Sequence, residues 1–491
     1  MKSPFVVLFA CLLAAVSRAE VALPAILSDH LVLQAGRAVP IWGNAAPDEK
    51  VSVTFAGQTV TTTTAADGRW RTALTALTAS ATPQTLTVAG TNTIVLQDVL
   101  VGEVWLGSGQ SNMAFTVNRG KDFEAEKAAA TFPLIRHFKE DSPNADTPQT
   151  SGKGRWVACT PDTVAGFSAA LYFFGREVHQ TLRVPVGLIN SSVGGTPIEA
   201  WIDADTQKND AALQAAIAAV PKTAPTPAAP AATSAPAVEK QKAVAKKSAK
   251  ATKTATAPRA TTGGLFNGKI VPLIPYAIRG ALWYQGEANT TPAKTSLYVH
   301  QLPLLIRDWR ARWGYDFPFA WVQLPNFTAT GRDWPPVREA MLKTLALPQT
   351  GMAIAIDVGE ADDIHPKDKQ TVGHRLALWA LGEVYGQKVP ASSGPLPAGH
   401  TVRGSEIVLR FTHTDGGLVA KNGPLTGFVI AGADRVWKPA TARLEGATVV
   451  VSSPDVAAPV AARYAWENLP TCNLFNAAGL PASPFRTDDW K

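Results

Sequence analysis

The sequence predicts an α/β protein, a parallel sheet with helices on both faces, flanked by an N-terminal β-sandwich and a C-terminal β-rich domain. Three observations predict it. Residues 21–100 are short apolar runs separated by turn clusters. From about residue 100 the rhythm becomes strand, loop, helix, the pattern of a parallel sheet with crossover helices. From about 390 to 468 short strands return. A chain of 491 residues has room for several domains at about 100–200 residues each. With 46% hydrophobic and 17% charged residues it has the composition of a folded protein, not of a disordered one. The boundaries read as a leader at 1–19, a β-sandwich at 20–100, an α/β domain at 101–390, a β-rich domain at 391–470 and a tail at 471–491.

The leader has a positive start at Lys2, an apolar stretch over residues 5–16 and a Ser17-Arg18-Ala19 cleavage pattern before Glu20. This is the layout of a signal peptide. The apolar stretch is too short to span a bilayer, which takes about 20 residues. The mature chain is therefore expected to be exported, periplasmic or extracellular, with no membrane attachment after cleavage. In the next segment Val51, Val53 and Phe55 alternate with polar residues and give one buried face. Leu31-Val32-Leu33 and Val39-Pro40-Ile41-Trp42 are further short strands, and Gly43-Asn44 and Ala66-Asp67-Gly68 are turns.

Within 101–390, strands are expected at 101–106, 186–189, 281–284, 319–323 and 352–356. Phe167, Leu171, Phe174 and Val178 recur at helical spacing, and helices are expected at about 296–312, 337–347 and 368–385. Residues 222–260 interrupt this with Pro, Ala, Thr, Ser and Lys and almost no large apolar side chain. Such a segment cannot offset its ordering entropy and reads as a disordered, solvating linker. In the last domain, 406–411, 427–431 and 447–451 are strands.

The formal charge of +7 is misleading. Lys2, Arg18 and the basic insert account for more than all of it, so the folded remainder is near neutral and a nucleic-acid partner is not expected. Of the three cysteines, Cys11 leaves with the leader. Cys159 and Cys472 could pair in an oxidising compartment, and no Cys/His spacing of a metal site is present.

Four strand ends lead into loops rich in Gly, Ser, Asn, Gln or Asp. In open parallel sheets ligands bind at the carboxyl ends of the strands, so these loops should converge. Gly107-Ser108-Gly109-Gln110-Ser111-Asn112-Met113 offers a hydroxyl and a backbone N–H together, as nucleophilic acyl transfer requires. Alone it reads as an ordinary turn. Asn190-Ser191-Ser192-Val193-Gly194-Gly195-Thr196 lets the backbone approach a ligand with its N–H groups. Trp283-Tyr284-Gln285-Gly286-Glu287-Ala288-Asn289 places the Gln285 amide just past a strand. In Asp362-Asp363-Ile364-His365-Pro366 an Asp three residues before a His can accept from Nδ1–H and leave Nε2 free to take a serine proton.

Taken together, Gly109-Gln110-Ser111-Asn112-Met113, Trp283-Tyr284-Gln285-Gly286-Glu287 and Asp363-Ile364-His365-Pro366 resemble the sialate O-acetylesterase family within the SGNH-type hydrolases. Val186-Gly187-Leu188-Ile189-Asn190, Gly194-Gly195-Thr196-Pro197-Ile198-Glu199-Ala200-Trp201 and Asn468-Leu469-Pro470-Thr471-Cys472-Asn473-Leu474-Phe475 extend the likeness over nearly the whole mature chain except the insert. The resemblance implies a three-layer SGNH-type hydrolase domain and a serine esterase that removes O-acetyl groups from sugars, with no metal and no organic cofactor. It implies Ser111 as nucleophile, His365 as base and Asp362 as its partner, with Asp363 the rival. It implies an oxyanion hole of Ser111 N–H, Gly194 or Gly195 N–H and the Gln285 amide. Gln110, Asn112 and Glu287 fall to orienting or substrate-binding roles. The substrate expected is an O-acetylated carbohydrate, an O-acetyl sialic acid first and acetylated xylan as the alternative. A non-catalytic carbohydrate-binding homologue is the remaining reading.

Overall fold

The computed structural model describes residues 20–221 and 260–490. The leader and almost all of the basic insert, both assigned above from sequence, lie outside the described residues. Among those described, no helix is long and apolar enough to cross a membrane.

The centre is a mainly parallel sheet. Its strands in chain order are β1 (Thr93–Gly109), β2 (Phe132–Lys139), β3 (Trp156–Cys159), β4 (Val186–Ser192), β5 (Gly280–Tyr284), β6 (Phe319–Gln323) and β7 (Thr350–Ile354). They lie side by side in the order β7-β6-β5-β1-β4-β2-β3. All neighbours are parallel except β2 and β3. Both faces are buried, and consecutive residues go to opposite sides. Leu282 and Tyr284 join one core while Ala281 and Trp283 join the other. A strand covered on both faces carries a continuous apolar run, which is why β5 reads Gly-Ala-Leu-Trp-Tyr without alternation. One face is covered by α1 (Ala169–Leu182) and α4 (Lys369–Trp379). The other is covered by α2 (Tyr298–Trp313) and α3 (Pro335–Thr344).

Strand β1 is longer than the residues 101–106 expected for it. It begins inside the N-terminal β region, where it pairs antiparallel with Ser80–Ala89 and parallel with Val32–Gln34. The sheet of the N-terminal region therefore runs into the central sheet through one continuous backbone. That continuity is invisible in the sequence, because residue 100 lies within an unbroken buried run from Val99 to Gln110. Strands β2 and β3 were not anticipated either. They form the far edge of the sheet, where Phe132 and Leu134 are only half-buried and the apolar signal is diluted. In the C-terminal region, Leu396–Arg403, Glu406–Thr412, Thr448–Ser452 and Thr441–Glu445 form one antiparallel sheet. Lys438–Pro439, Phe428–Ala431, Ala461–Tyr464 and Phe485–Arg486 form a second, around a core of their own. Among the described residues Cys159 and Cys472 are both unbridged. Burial pushes the Cys159 thiol up to about 12.

Candidate active site

The four loops do converge at the carboxyl edge of the central sheet. Strand β1 ends at Gly109, whose φ of +134° suits glycine. A Cβ there would stand 2.2 Å from the carbonyl oxygen of Tyr284 on β5. This close crossing turns the chain, and Gln110 N–H then bonds the same Tyr284 carbonyl at 3.0 Å. Ser111 opens a single helical turn, Ser111–Ala114, and its side chain faces the groove outside the sheet.

His365 comes from the loop between β7 and α4. Its Nε2 lies 2.8 Å from Ser111 Oγ, across 254 residues of sequence. This is the distance at which an imidazole can take the hydroxyl proton. Burial disfavours the imidazolium and holds the His365 pKa below its ordinary 6.5. Asp363 pulls the other way, and Arg119 and Lys369 add to the lowering. Burial thus favours the neutral form of the ring.

The carboxylate beside Nδ1 belongs to Asp363, at 3.5 Å, not to Asp362. Asp363 Oδ1 also accepts the His365 backbone N–H at 2.8 Å, and this bond holds the Asp363 carboxyl below its usual range. Asp362 is exposed, and among the described residues it has no bond to the imidazole. The assignment of Asp362 from its three-residue offset is thus corrected. The offset suits an Asp that starts a regular turn toward the ring. Here Asp363 instead closes a two-residue loop back onto the histidine's own backbone.

Gly194 sits against the serine: a Cβ built on it would lie 3.4 Å from Ser111 Cβ. Its neighbour Val193 donates its N–H to the Gly109 carbonyl at 3.1 Å, so the β4 loop is pinned to the serine turn. Gly195 has φ +73° and continues the loop. Gln285 does not occupy the expected place. It is fully buried, and its Nε2 is bonded to Asn289 Oδ1 at 2.7 Å, Thr196 carbonyl at 3.2 Å and Gln110 Oε1 at 3.3 Å. An amide has two hydrogens, and these acceptors claim both. Its Oε1 lies 3.0 Å from the Tyr298 hydroxyl. Gln285 is a brace tying the β1, β4 and β5 loops together, and the oxyanion role expected of it is corrected. Sequence shows that a polar side chain follows β5 but not which way it turns.

Gln110, Asn112 and Glu287 lie behind the serine. Gln110 Oε1 accepts from Gln285 and from Ala288 N–H, which links the β1 and β5 loops. Asn112 Nδ2 donates to Glu287 Oε1 at 2.6 Å and to the Ile364 carbonyl at 3.0 Å. One asparagine thereby joins the serine turn to the histidine loop. Sequence reasoning missed its third partner. Lys369, the first residue of α4, donates Nζ to Asn112 Oδ1 at 2.8 Å and to the Pro366 carbonyl at 2.5 Å. It also faces the rings of Phe115 and Tyr284. Both ions are enclosed. Burial brings the Lys369 ammonium down to about 7 and pushes the Glu287 carboxyl up, and among the described residues Glu287 Oε2 has no hydrogen-bond partner. Nothing in Lys367-Asp368-Lys369 distinguishes Lys369 from a solvated helix-start lysine.

Beyond Gly194 and Gly195 a cleft of about 860 Å³ opens, with Thr196, Glu199, Lys294 and Arg332 on its walls. That is the size of a small-molecule site, about 300–1,000 Å³. Among the described residues no group of three His, Cys, Asp or Glu side chains is placed to hold a metal.

Comparison with known proteins bears on what this geometry does. Residues 101–227 and 268–381 match the family described as carbohydrate esterase, sialic acid-specific acetylesterase. The chain is 30% identical over 433 residues to the sialate O-acetylesterase of Pongo abelii, covering 80% of this chain and 76% of that protein. It is 29% identical over 433 residues to that of Homo sapiens, with the same shares covered. A crystal structure of a carbohydrate acetylesterase from Xanthomonas citri superimposes with a TM-score of 0.83 at 37% identity, covering 96% of this chain and 100% of that one.

Proposed function

The chain belongs to the sialate O-acetylesterase family of carbohydrate esterases and is a carboxylic ester hydrolase, and from that premise we propose an exported serine esterase that removes O-acetyl groups from sialic acids. The observation that carries the mechanism is the 2.8 Å contact between Ser111 Oγ and His365 Nε2, beside the Gly194 that lines the cleft. The proposed frame is the three-layer SGNH-type hydrolase domain, with its β regions as flanks. Support for export is the leader pattern of Lys2, residues 5–16 and Ser17-Arg18-Ala19.

Two steps follow from the geometry. Ser111 Oγ attacks the acetyl carbonyl as its proton passes to His365 Nε2. The developing oxyanion takes the backbone N–H groups of Ser111 and Gly194, each such donor being worth about 3 kcal/mol of barrier. His365 returns the proton to the departing sugar hydroxyl. Water then enters and attacks the acetyl carbonyl as it gives a proton to His365, the bond from the acetyl carbon to Ser111 Oγ breaks, and His365 returns that proton to Ser111 Oγ as acetate leaves. Asp363 favours the imidazolium that forms in each step. Asn112, Lys369 and Glu287 hold the two loops in register.

The test is acetate release from a panel of O-acetylated sialic acids and acetylated xylan oligosaccharides. Turnover of the sialates supports the reading. Turnover of xylan alone replaces the substrate, and turnover of neither, with retained sugar binding, replaces the enzyme with a binding homologue.

A further inference from the structure

We infer that Arg332 binds the carboxylate of the substrate, so that the cleft selects an anionic sugar acid over a neutral acetylated saccharide. This rests on the sialic acid reading above and names the residue that recognises the acid group.

The charges on the cleft wall make the argument. Three ionisable side chains line it: Glu199, Lys294 and Arg332. The first two neutralise each other, because Lys294 Nζ donates to Glu199 Oε1, while Glu199 Oε2 accepts from Asn289. Arg332 has no carboxylate partner among the described residues. Its Nη1 is held instead by two neutral acceptors, the Glu287 carbonyl at 2.9 Å and Thr290 Oγ1 at 3.4 Å. The wall therefore carries one unneutralised cation.

That cation is held in place, though it lies on a loop. The Arg332 carbonyl accepts from Asn468 Nδ2 at 2.9 Å, and the next residue, Asp333, donates its N–H to the Thr290 carbonyl at 2.7 Å. Glu287, whose carbonyl holds the guanidinium, also binds Asn112, the residue after Ser111. The position of the charge is thus registered to that of the nucleophile through directly bonded groups. A guanidinium tethered at one nitrogen keeps N–H donors for a planar acid, the geometry in which Arg–carboxylate pairs are strongest. A neutral xylan acetate would gain only the weaker hydrogen bonds of uncharged acceptors.

The experiment compares one O-acetylated sialic acid with its C1 methyl ester, a neutral analogue of nearly the same shape, following acetate release. Wild type is expected to favour the free acid by about 10- to 100-fold in kcat/KM, the ratio that one charge-assisted pair supplies. The preference should sit mainly in KM and shrink with added salt. In R332Q the ratio falls toward one, and R332K retains part of it. Equal turnover of acid and methyl ester by wild type overturns the assignment, and this arm does not depend on how a variant folds. So does an R332Q that slows both esters alike, since that reports only its hold on Glu287 and Thr290. If wild type turns over no sialate ester but does release acetate from xylan oligosaccharides, the substrate reading falls and the Arg332 assignment falls with it. If both sialate esters react equally, only the assignment falls.

Discussion

The two sides of Ser111 are built differently. On the groove side stand His365 and Asp363, half-open to solvent, with side-chain contacts of 2.8 Å and 3.5 Å between the three residues and one 2.8 Å bond from the His365 backbone N–H to Asp363. On the sheet side stand Asn112, Glu287, Gln285 and Lys369, at most 2% exposed and bonded at nearly every polar atom. A group that must move protons and admit substrate cannot be locked by several hydrogen bonds. A group that only fixes position can be, and burial strengthens each bond it makes. The contrast fits the proposed mechanism, with chemistry on the open side and registration on the closed one.

The sharpest test is on the open side. Ser111→Ala or His365→Ala should lower kcat on an aryl acetate by at least about 10⁴-fold, since either member disables the pair. Neither should move the denaturant midpoint much, because both side chains are partly exposed. Activity near wild type in either variant would remove the assignment of chemistry to that side.

On the closed side, Lys369→Met should act through position. Removing the ammonium leaves Asn112 Oδ1 and the Pro366 carbonyl without their donor, and takes from the Glu287 carboxyl a positive charge that favours its ionised form. A loss of about 3 kcal/mol of stability is expected for breaking one half of such a buried arrangement. With it, kcat should fall about 10- to 100-fold while KM changes little, as for a misplaced catalytic pair. Pairing it with Glu287→Gln removes the second ion too. The double variant should then be more active and more stable than the sum of the singles predicts. Strict additivity would show that the two ions do not act as one unit.

Gln285→Ala separates brace from oxyanion donor. A donor at the reacting oxygen is worth about 10²–10³ in kcat. A brace with its hydrogens committed to Asn289, Thr196 and Gln110 should instead show up as about 1–3 kcal/mol of lost stability, with kcat within about tenfold. A kcat loss of the larger size in a stably folded variant would return Gln285 to the oxyanion hole.

The same contrast explains what could be read in advance. The open side was legible: Ser111, His365 and Gly194 follow strand ends, and a parallel sheet collects its strand ends at one edge. Strands β4 to β7 were equally legible, as buried runs of five to seven residues. The closed side was not. Whether Gln285 turns toward the groove or into the loops depends on Asn289 and Thr196 closing on it, and Thr196 lies 89 residues away. Lys369 resembles its solvated neighbour Lys367 until the fold buries one and not the other. Asp363 rather than Asp362 stands beside Nδ1 because its carboxylate folds back onto the His365 backbone N–H, a local turn that a spacing rule does not contain.

That last choice yields the smallest effect and the most specific one. In the proposed mechanism His365 must be neutral, so kcat/KM should rise with pH through an acid limb whose midpoint lies below the ordinary 6.5, because burial disfavours the imidazolium. The Asp363 carboxylate favours the imidazolium and so holds that midpoint up. Asp363→Asn removes this pull, and the limb should move to lower pH, giving relatively more activity in acid even as the plateau drops a few-fold. Asp362→Asn should leave the limb where it was. A contact of 3.5 Å, at a side chain 45% exposed, argues for a modest shift. If instead Asp362→Asn moves the limb and Asp363→Asn does not, the histidine has the other partner in the working enzyme. The loop must then reorganise when substrate binds, and the open side would prove looser than its closed counterpart by a whole backbone turn.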